Sequence, residues 1–487
     1  MKNETRCRYD RRHFLRRLGA ASLSMVCIPS LTGANSTEIA TNRPNVLFIA
    51  IDDLNDWIGC LGGHPQAQTP HMDRLAGEGI LFENAHCQAP ICTPSRASLL
   101  SGLYPATTGL YFLSPQYREA KTLRNTLTLP QYFRKHGYTS LGVGKVFHTG
   151  GDEDSFDEYG GTMGGFGPRP EEKLSLPEGH PLWDWGAFPD EDVHMPDYQV
   201  AHWATEKLGQ NHDKPFFLSV GFWRPHVPLY VPQQWFDLYP RDSIQLPQAA
   251  REDLEDIPAY AMDLTYAAAA PRHEYVLELG QWEHAVQAYL ACVSFVDHYV
   301  GQVLHALRES PYRDNTLVVL WSDHGFHLGE KLRWGKRSLW EESTRAPLII
   351  AGPGIHKGGT CRRPVGMIDL YPTLVDLCGL PERPILEGKS LRGLLEDPTA
   401  TWERPALTTF GPGNHSLRSE RYRYTRYADG SEELYDHEVD PSERVNLACL
   451  DTHQEIITDL RRHLPTVNRP PLPGSQGSDS PIYEKIP

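Results

Sequence analysis

The sequence predicts an α/β protein built on a mostly parallel central sheet flanked by helices, with a smaller antiparallel sheet near the C-terminus. Three features carry that reading. Continuous apolar runs at 45–51, 215–221 and 316–321 have the texture of strands buried on both faces. Helical spacing separates them, most plainly from Trp282 to Leu307 through Ala285, Ala288, Tyr289, Cys292, Phe295, Val296 and Val303. From about residue 404 the texture changes to short alternating strands around the turn Asp429-Gly430.

A chain of 487 residues exceeds what one core usually organises, so two domains are expected. The formal net charge of −15 excludes a nucleic-acid binder, whose affinity rests on basic surface. It also means that an anionic ligand must be held by a local cluster of cations. Nine cysteines are present, two of them (Cys7 and Cys27) in the N-terminal segment. The remaining seven are odd in number and irregular in spacing, which fits neither a disulfide framework nor a zinc motif.

At the N-terminus, Arg11-Arg12-His13-Phe14-Leu15 precedes a mildly apolar run at 18–28 and the small residues Thr32-Gly33-Ala34. This order is similar to a twin-arginine export signal, so residues 1–34 are expected to be removed and the folded protein exported to the periplasm or the medium by that machinery. The apolar run is too short for a permanent membrane anchor.

The first strand, 45–51, ends at once in Asp52-Asp53. Adjacent carboxylates at the end of a buried strand are costly unless a cation neutralises them. A short helix follows at 71–79. Then comes Cys92-Thr93-Pro94-Ser95-Arg96, with Pro94 suited to a first helical position and Arg96 one turn beyond Cys92. Taken alone, this stretch suits a reactive thiol and a buried structural cysteine equally well. A helix at 129–136 leads to a strand at 138–144 that runs into Lys145-Val146-Phe147-His148. Residues 150–195 read as a long functional loop. The strand at 215–221 runs into Phe222-Trp223-Arg224-Pro225-His226, and that at 316–321 into Ser322-Asp323-His324-Gly325. A strand at 346–351 and a helix at 368–377 follow, then a hairpin formed by 416–427 and 433–435, and a helix at 453–464. The residues after Pro465, rich in Pro, Ser and Gly, are expected to be poorly ordered. The domain reading is therefore 1–34 signal, 44–403 catalytic α/β domain, 404–465 antiparallel subdomain and 466–487 tail.

Four strand ends thus carry loaded groups, and in open α/β sheets ligands bind beyond the carboxyl ends of the strands. Asp52, Asp53 and Asp323 offer hard oxygen donors suited to calcium or magnesium, with His324 a softer addition. Arg96, Lys145, His148, His226 and Lys336 form a cationic set for a tetrahedral oxyanion. Together they describe a metal-assisted site for a phosphate or sulfate ester.

Cys92-Thr93-Pro94-Ser95-Arg96 followed by Ser101-Gly102-Leu103-Tyr104-Pro105 resembles the Cys-x-Pro-x-Arg signature of the type I sulfatases. The resemblance extends over nearly all of the chain after residue 44. Within it, Val143-Gly144-Lys145-Val146-Phe147-His148, Arg224-Pro225-His226-Val227-Pro228 and Trp334-Gly335-Lys336 lie closest to the iduronate-2-sulfatase group. The resemblance implies an alkaline-phosphatase-like fold and one calcium ion held by Asp52, Asp53, Asp323, His324 and the modified Cys92. Many sulfatases carry Asn at the position of His324; the iduronate-2-sulfatase group has His there. Cys92 would be converted by a separate formylglycine-generating enzyme, and the hydrated aldehyde would be the nucleophile, one hydroxyl attacking sulfur and the other later expelling sulfate. Arg96 would hold that hydrate, His148 would serve as base, and Lys145, His226 and Lys336 would bind sulfate and assist the leaving oxygen. The implied substrate is a sulfated uronate-containing saccharide attacked from a chain end, with Trp223 and Arg224 available to stack on it and pair with its carboxylate. Rival readings are a phosphodiesterase or phosphonate hydrolase of the same fold, an inactive carbohydrate-binding homologue, and a plain cysteine hydrolase using His148. The last leaves the paired carboxylates without a role.

Overall fold

The computed structural model describes residues 43–148 and 153–483. The export signal expected over 1–34 lies outside these residues. Eight strands form the large sheet: β1 (Asn45–Ile51), β2 (Gly79–Phe82), β3 (Thr139–Gly144), β4 (Glu158–Tyr159), β5 (Phe216–Phe222), β6 (Thr316–Ser322), β7 (Leu348–Ala351) and β8 (Gly359–Cys361). Their spatial order is β8-β2-β7-β6-β1-β5-β3-β4. β1 is central and runs parallel to β5 and β6; β3 is parallel to β5 and to β4. Only β7 departs, running antiparallel to both β2 and β6.

The apolar run of β1 is continuous because the sheet is covered on both faces. Leu47, Ile49 and Ile51 enter one core, packed on the long helix Trp282–Glu309. Val46, Phe48 and Ala50 enter the other, with Leu99 and Leu100 of the helix Cys92–Ser101 and Leu370 and Leu374 of Leu370–Leu377. Side chains alternate across a strand, so one heptapeptide anchors two helical layers.

The boundaries depart from expectation in three instructive places. The helix expected to start at Pro94 starts at Cys92, with Ile91 as its extended N-cap. It ends at Gly102, whose left-handed φ of 74° closes the last turn. The stretch 416–427 is two strands, His415–Arg418 and Tyr422–Arg426, because the Ser419 N–H turns back to the Tyr422 carbonyl at 2.8 Å. With Ala406–Thr409 and Glu432–Asp436 they make a four-stranded antiparallel sheet. The helix Gln454–Arg461 packs on it through Ile457 and Leu460. Finally, the segment after Pro465, expected to be poorly ordered, lies against the catalytic domain through residue 483. Arg469 and Leu472 donate backbone N–H groups to Ala106 and Gly109 at 2.9 and 3.0 Å, and Ser114 donates to Gln476 at 3.1 Å. The tail is covered because its backbone groups find partners on the domain, which composition does not reveal.

Among the described residues no helix is long and apolar enough to cross a membrane. All seven cysteines there are free.

Candidate active site

Register explains why distant residues meet. Ile51 pairs with Ser322 of β6 on one side and with Phe222 of β5 on the other, and Gly144 of β3 pairs with Gly221. The residues that follow each strand, Asp52-Asp53, Asp323-His324, Trp223 to His226 and Lys145, therefore emerge at one sheet edge. Cys92 arrives from the other direction, as the first residue of its helix, 1% exposed. Helix N-termini favour negative charge, so an anionic group at residue 92 is stabilised there.

Asp52, Asp53, Cys92 and His324 bring one donor atom each within 4.8 Å of one another. Asp53 has a left-handed φ of 58°, a conformation held at cost by its surroundings. The Tyr289 hydroxyl donates to its carbonyl at 2.8 Å, and the Asp323 carboxylate accepts its N–H at 3.2 Å. Asp53 Oδ2 is buried with no hydrogen-bond partner. An orphaned carboxylate oxygen beside two further carboxylates is what a hard divalent cation would satisfy, so the residues present fit a metal. Asp323 stands beside this group: its Oδ2 accepts from Arg96 Nε at 2.8 Å and lies 3.6 Å from His324 Nε2.

The cations divide into two sets. Arg96 is buried and fully engaged: besides Asp323 it donates to Asp52 Oδ1 at 3.2 Å, to the Val146 carbonyl at 3.2 Å and to the Lys145 carbonyl. Its guanidinium holds the carboxylates. Lys145 is buried and pairs with Asp52 Oδ2. Facing the cavity, Lys336 Nζ donates to Asp53 Oδ1 at 2.5 Å and to Cys92 Sγ at 3.0 Å. His148 lies within side-chain hydrogen-bonding reach of Cys92, and its Nδ1 has no partner. His226 bonds the Val227 carbonyl through Nδ1 at 2.6 Å, with Nε2 3.8 Å from Asp53 Oδ2.

Electrostatics follow from this packing. Burial alone would raise the Cys92 thiol, but Lys336, Lys145 and His324 hold it well below the usual range. Burial pushes Asp323 up to about 6 against the pull of Arg96; burial works to lower His324, but the Asp323 carboxylate and the Cys92 group together outweigh it and raise His324 to about 9.

A cavity of about 320 Å³ opens onto Cys92, Asp53, His148, His226 and Lys336. The long loop read as functional contributes to its wall through Phe166, His180, Leu182 and Trp183. Trp223 and Arg224 do not line it. Arg224 is fully buried and clamps three carbonyls, of Tyr230 and Phe166 at 2.9 Å and of His226 at 3.4 Å. Trp223 donates its indole N–H to the Thr162 carbonyl at 3.1 Å. Both residues shape the loop that carries His226, and neither is free to contact a sugar. Phe166, whose ring lies 4.8 Å from that of His226, is a site residue that sequence reasoning missed; a lone Phe in a glycine-rich loop carries no signal. Arg337, beside Lys336, was missed for the same reason.

A second acidic group, Glu341, His437 and Glu443, is neutralised by Arg423 and Arg418 and ties the C-terminal subdomain to the catalytic domain.

Residues 44–380 match the family model described as Sulfatase, and residues 329–469 match that of the N-sulphoglucosamine sulphohydrolase C-terminal region. The chain is 45% identical over 442 residues to a sulfatase of Formosa agariphila, covering 88% of this chain and 87% of the relative. It is 29% identical over 507 residues to the iduronate 2-sulfatase of Homo sapiens, covering 83% and 88%. Among solved structures, a 2-O GAG sulfatase is similar at a TM-score of 0.68 and 25% identity, over 86% of this chain and 90% of the other. A phosphonate monoester hydrolase from Silicibacter pomeroyi reaches a TM-score of 0.70 at 24% identity, over 86% and 94%. The fold alone therefore does not separate the two kinds of ester.

Proposed function

The chain belongs to the sulfatase family, and on that footing we propose that it removes sulfate from a uronate-containing saccharide through a nucleophile made from Cys92. It is a sulfuric ester hydrolase. The observation that carries the finer reading is the single ammonium of Lys336, which bridges Asp53 and Cys92 at the floor of the cavity. A cation so placed meets the sulfate oxygens and the nucleophile together.

Conversion of Cys92 to formylglycine by a separate maturation enzyme supplies an oxygen nucleophile that can expel sulfate afterwards, which a thiol cannot. Asp52, Asp53, Asp323, His324 and the modified Cys92 would hold a calcium ion, which would supply positive charge for an anionic ester. The chain's own residues do the rest. Arg96 and Lys145 fix the carboxylates, so that their geometry is set before substrate arrives. His148, beside residue 92, takes its proton when sulfate is expelled. His226 and Lys336 bind sulfate oxygens, and His226 donates a proton toward the departing sugar oxygen. The cavity is at the small end for ligand sites, ~300–1,000 Å³ in general, which supports removal of sulfate from a terminal sugar. Export by the twin-arginine route belongs to the same reading, and since that route carries folded chains, maturation of residue 92 precedes it.

Purified, matured protein assayed on an aryl sulfate and an aryl phosphonate monoester tests the reading. Faster turnover of the sulfate, with an aldehyde in place of the thiol in the residue-92 peptide by mass analysis, is expected. Preference for the phosphonate, or activity with an intact thiol, would sink it.

A further inference from the structure

Resting on that reading, the structure says more about which sugar enters. With Trp223 and Arg224 removed from the cavity wall, the recognition of a substrate's second charged group needs another residue. The cavity is lined by two permanently charged cations, Lys336 and Arg337. Lys336 is committed to Asp53 and Cys92.

Arg337 is 9% exposed and sits in a left-handed conformation, φ 78°, with its N–H bonded to the Pro90 carbonyl at 3.1 Å. Its side chain is gripped by the C-terminal segment: Nη1 pairs with Asp479 and Nη2 donates to the Gly477 carbonyl at 3.3 Å. Nε has no acceptor among the described residues. The gripping segment is itself pinned to the wall. Gln476 bridges to Ser114, Asp479 accepts the Ala268 N–H at 3.2 Å, and Ser480 donates to the Asp263 carbonyl at 3.1 Å. His180 lines the same cavity and takes the Leu182 N–H on Nδ1 at 3.2 Å, which leaves Nε2 as its donor. A guanidinium so deeply buried, with one donor unpaired, gains from an incoming anion more than a solvated one would. Burial pulls Arg337 down to about 10, and the negative groups at Cys92 and Asp53 work against that fall, which puts it within electrostatic reach of the reaction centre.

We propose that Arg337, braced by Asp479 and Gly477 and joined by His180, is the position that reads a second anionic group on the substrate, a carboxylate or a second sulfate next to the scissile ester. The segment after Pro465 is thereby part of the substrate pocket. Asp479 acts as a positioning residue, since its carboxylate and the Gly477 carbonyl hold the two terminal nitrogens of the guanidinium at the cavity wall.

Calorimetry on Cys92→Ser protein tests this without requiring turnover, using two ligand pairs: a 2-sulfated uronate disaccharide with its carboxyl-reduced counterpart, and a disulfated with a monosulfated glucosamine. The pair that shows a charge preference identifies the group read. Arg337→Gln is expected to weaken the doubly charged ligand about 10- to 100-fold and abolish its advantage. Arg337→Lys is expected to restore part of it, at an unchanged melting temperature. A variant that weakens both members of a pair equally, or neither, overturns the proposal. So does Cys92→Ser protein with Arg337 intact that binds both members with equal affinity, which leaves the sulfatase reading intact. Failure to bind any of the four ligands overturns the saccharide reading as well.

Discussion

Arg96, which the signature motif singles out, is tied into the carboxylates of the site. It is buried at 1% exposure, and its nitrogens reach two carboxylates and two carbonyls. Removing one partner of a buried ionic network leaves the others uncompensated, at about 3–5 kcal/mol. Arg96→Ala is therefore expected to lower stability by about that much, read by urea unfolding, and to abolish sulfate ester hydrolysis. An active, equally stable Arg96→Ala protein would contradict the role assigned to it. Arg224 is the opposite case, a residue expected to touch substrate that instead holds the carbonyls around His226.

At the scale of elements, the close approach of β3 and β5 depends on two glycines. Gly144 has a φ of 73°, and a Cβ there would lie 2.0 Å from the Gly221 carbonyl oxygen. A Cβ on Gly221 would lie 2.2 Å from the carbonyl carbon of Lys145. Gly221→Ala must displace Lys145 from Asp52, so a loss of ~1–3 kcal/mol with a fall in kcat is expected; unaltered kinetics would show that this register does not set the site. A different contact joins the helices Pro70–Glu78 and Trp282–Glu309. The Asp297 carboxylate accepts the backbone N–H groups of His71 and Met72 at 3.2 and 2.8 Å. Burial, opposed by those bonds and helped by Asp73, raises Asp297 to about 7. The folded chain then binds more protons than the unfolded one between about 4 and 7, so this group's contribution to stability falls as pH rises through that window. Asp297→Asn is expected to flatten that part of the stability profile in unfolding experiments at pH 5 and pH 8. A slope equal to that of the wild type would refute the assignment.

For the molecule as a whole, three carboxylates are buried at one sheet edge in a chain of net charge −15. Arg96, Lys145 and Lys336 pair with them, yet Asp53 Oδ2 stays without a hydrogen-bond partner. A divalent cation that binds the folded chain alone adds stability by mass action, about 4 kcal/mol at a thousand times Kd. Chelation should thus lower Tm, and calcium should restore it more fully than magnesium. A Tm indifferent to both would remove the metal from the reading. The four-stranded sheet and the tail contribute on the same scale, since both close on the catalytic domain through ion pairs, the largely buried Arg423 with Glu341 and Glu443, and the partly exposed Arg337 with Asp479.

What the sequence determined by itself was the sheet and the chemistry at its edge. Buried parallel strands demand long apolar runs, and a run that stops in Asp52-Asp53 or Asp323-His324 announces the place where the chain meets a ligand. Helix limits were legible to within a residue or two wherever the apolar period was strong, as in Trp282–Glu309. Tertiary structure alone decided which cations face the cavity and which are walled in. Lys145 and Lys336 look alike in sequence, yet one is sealed against Asp52 and the other meets Cys92. The same holds for Arg224 and Arg337, since exposure is a property of what packs around a side chain and not of the side chain. The tail was illegible for a related reason: a segment poor in apolar residues can still be held, once a partner surface offers acceptors for its backbone and an arginine for Asp479.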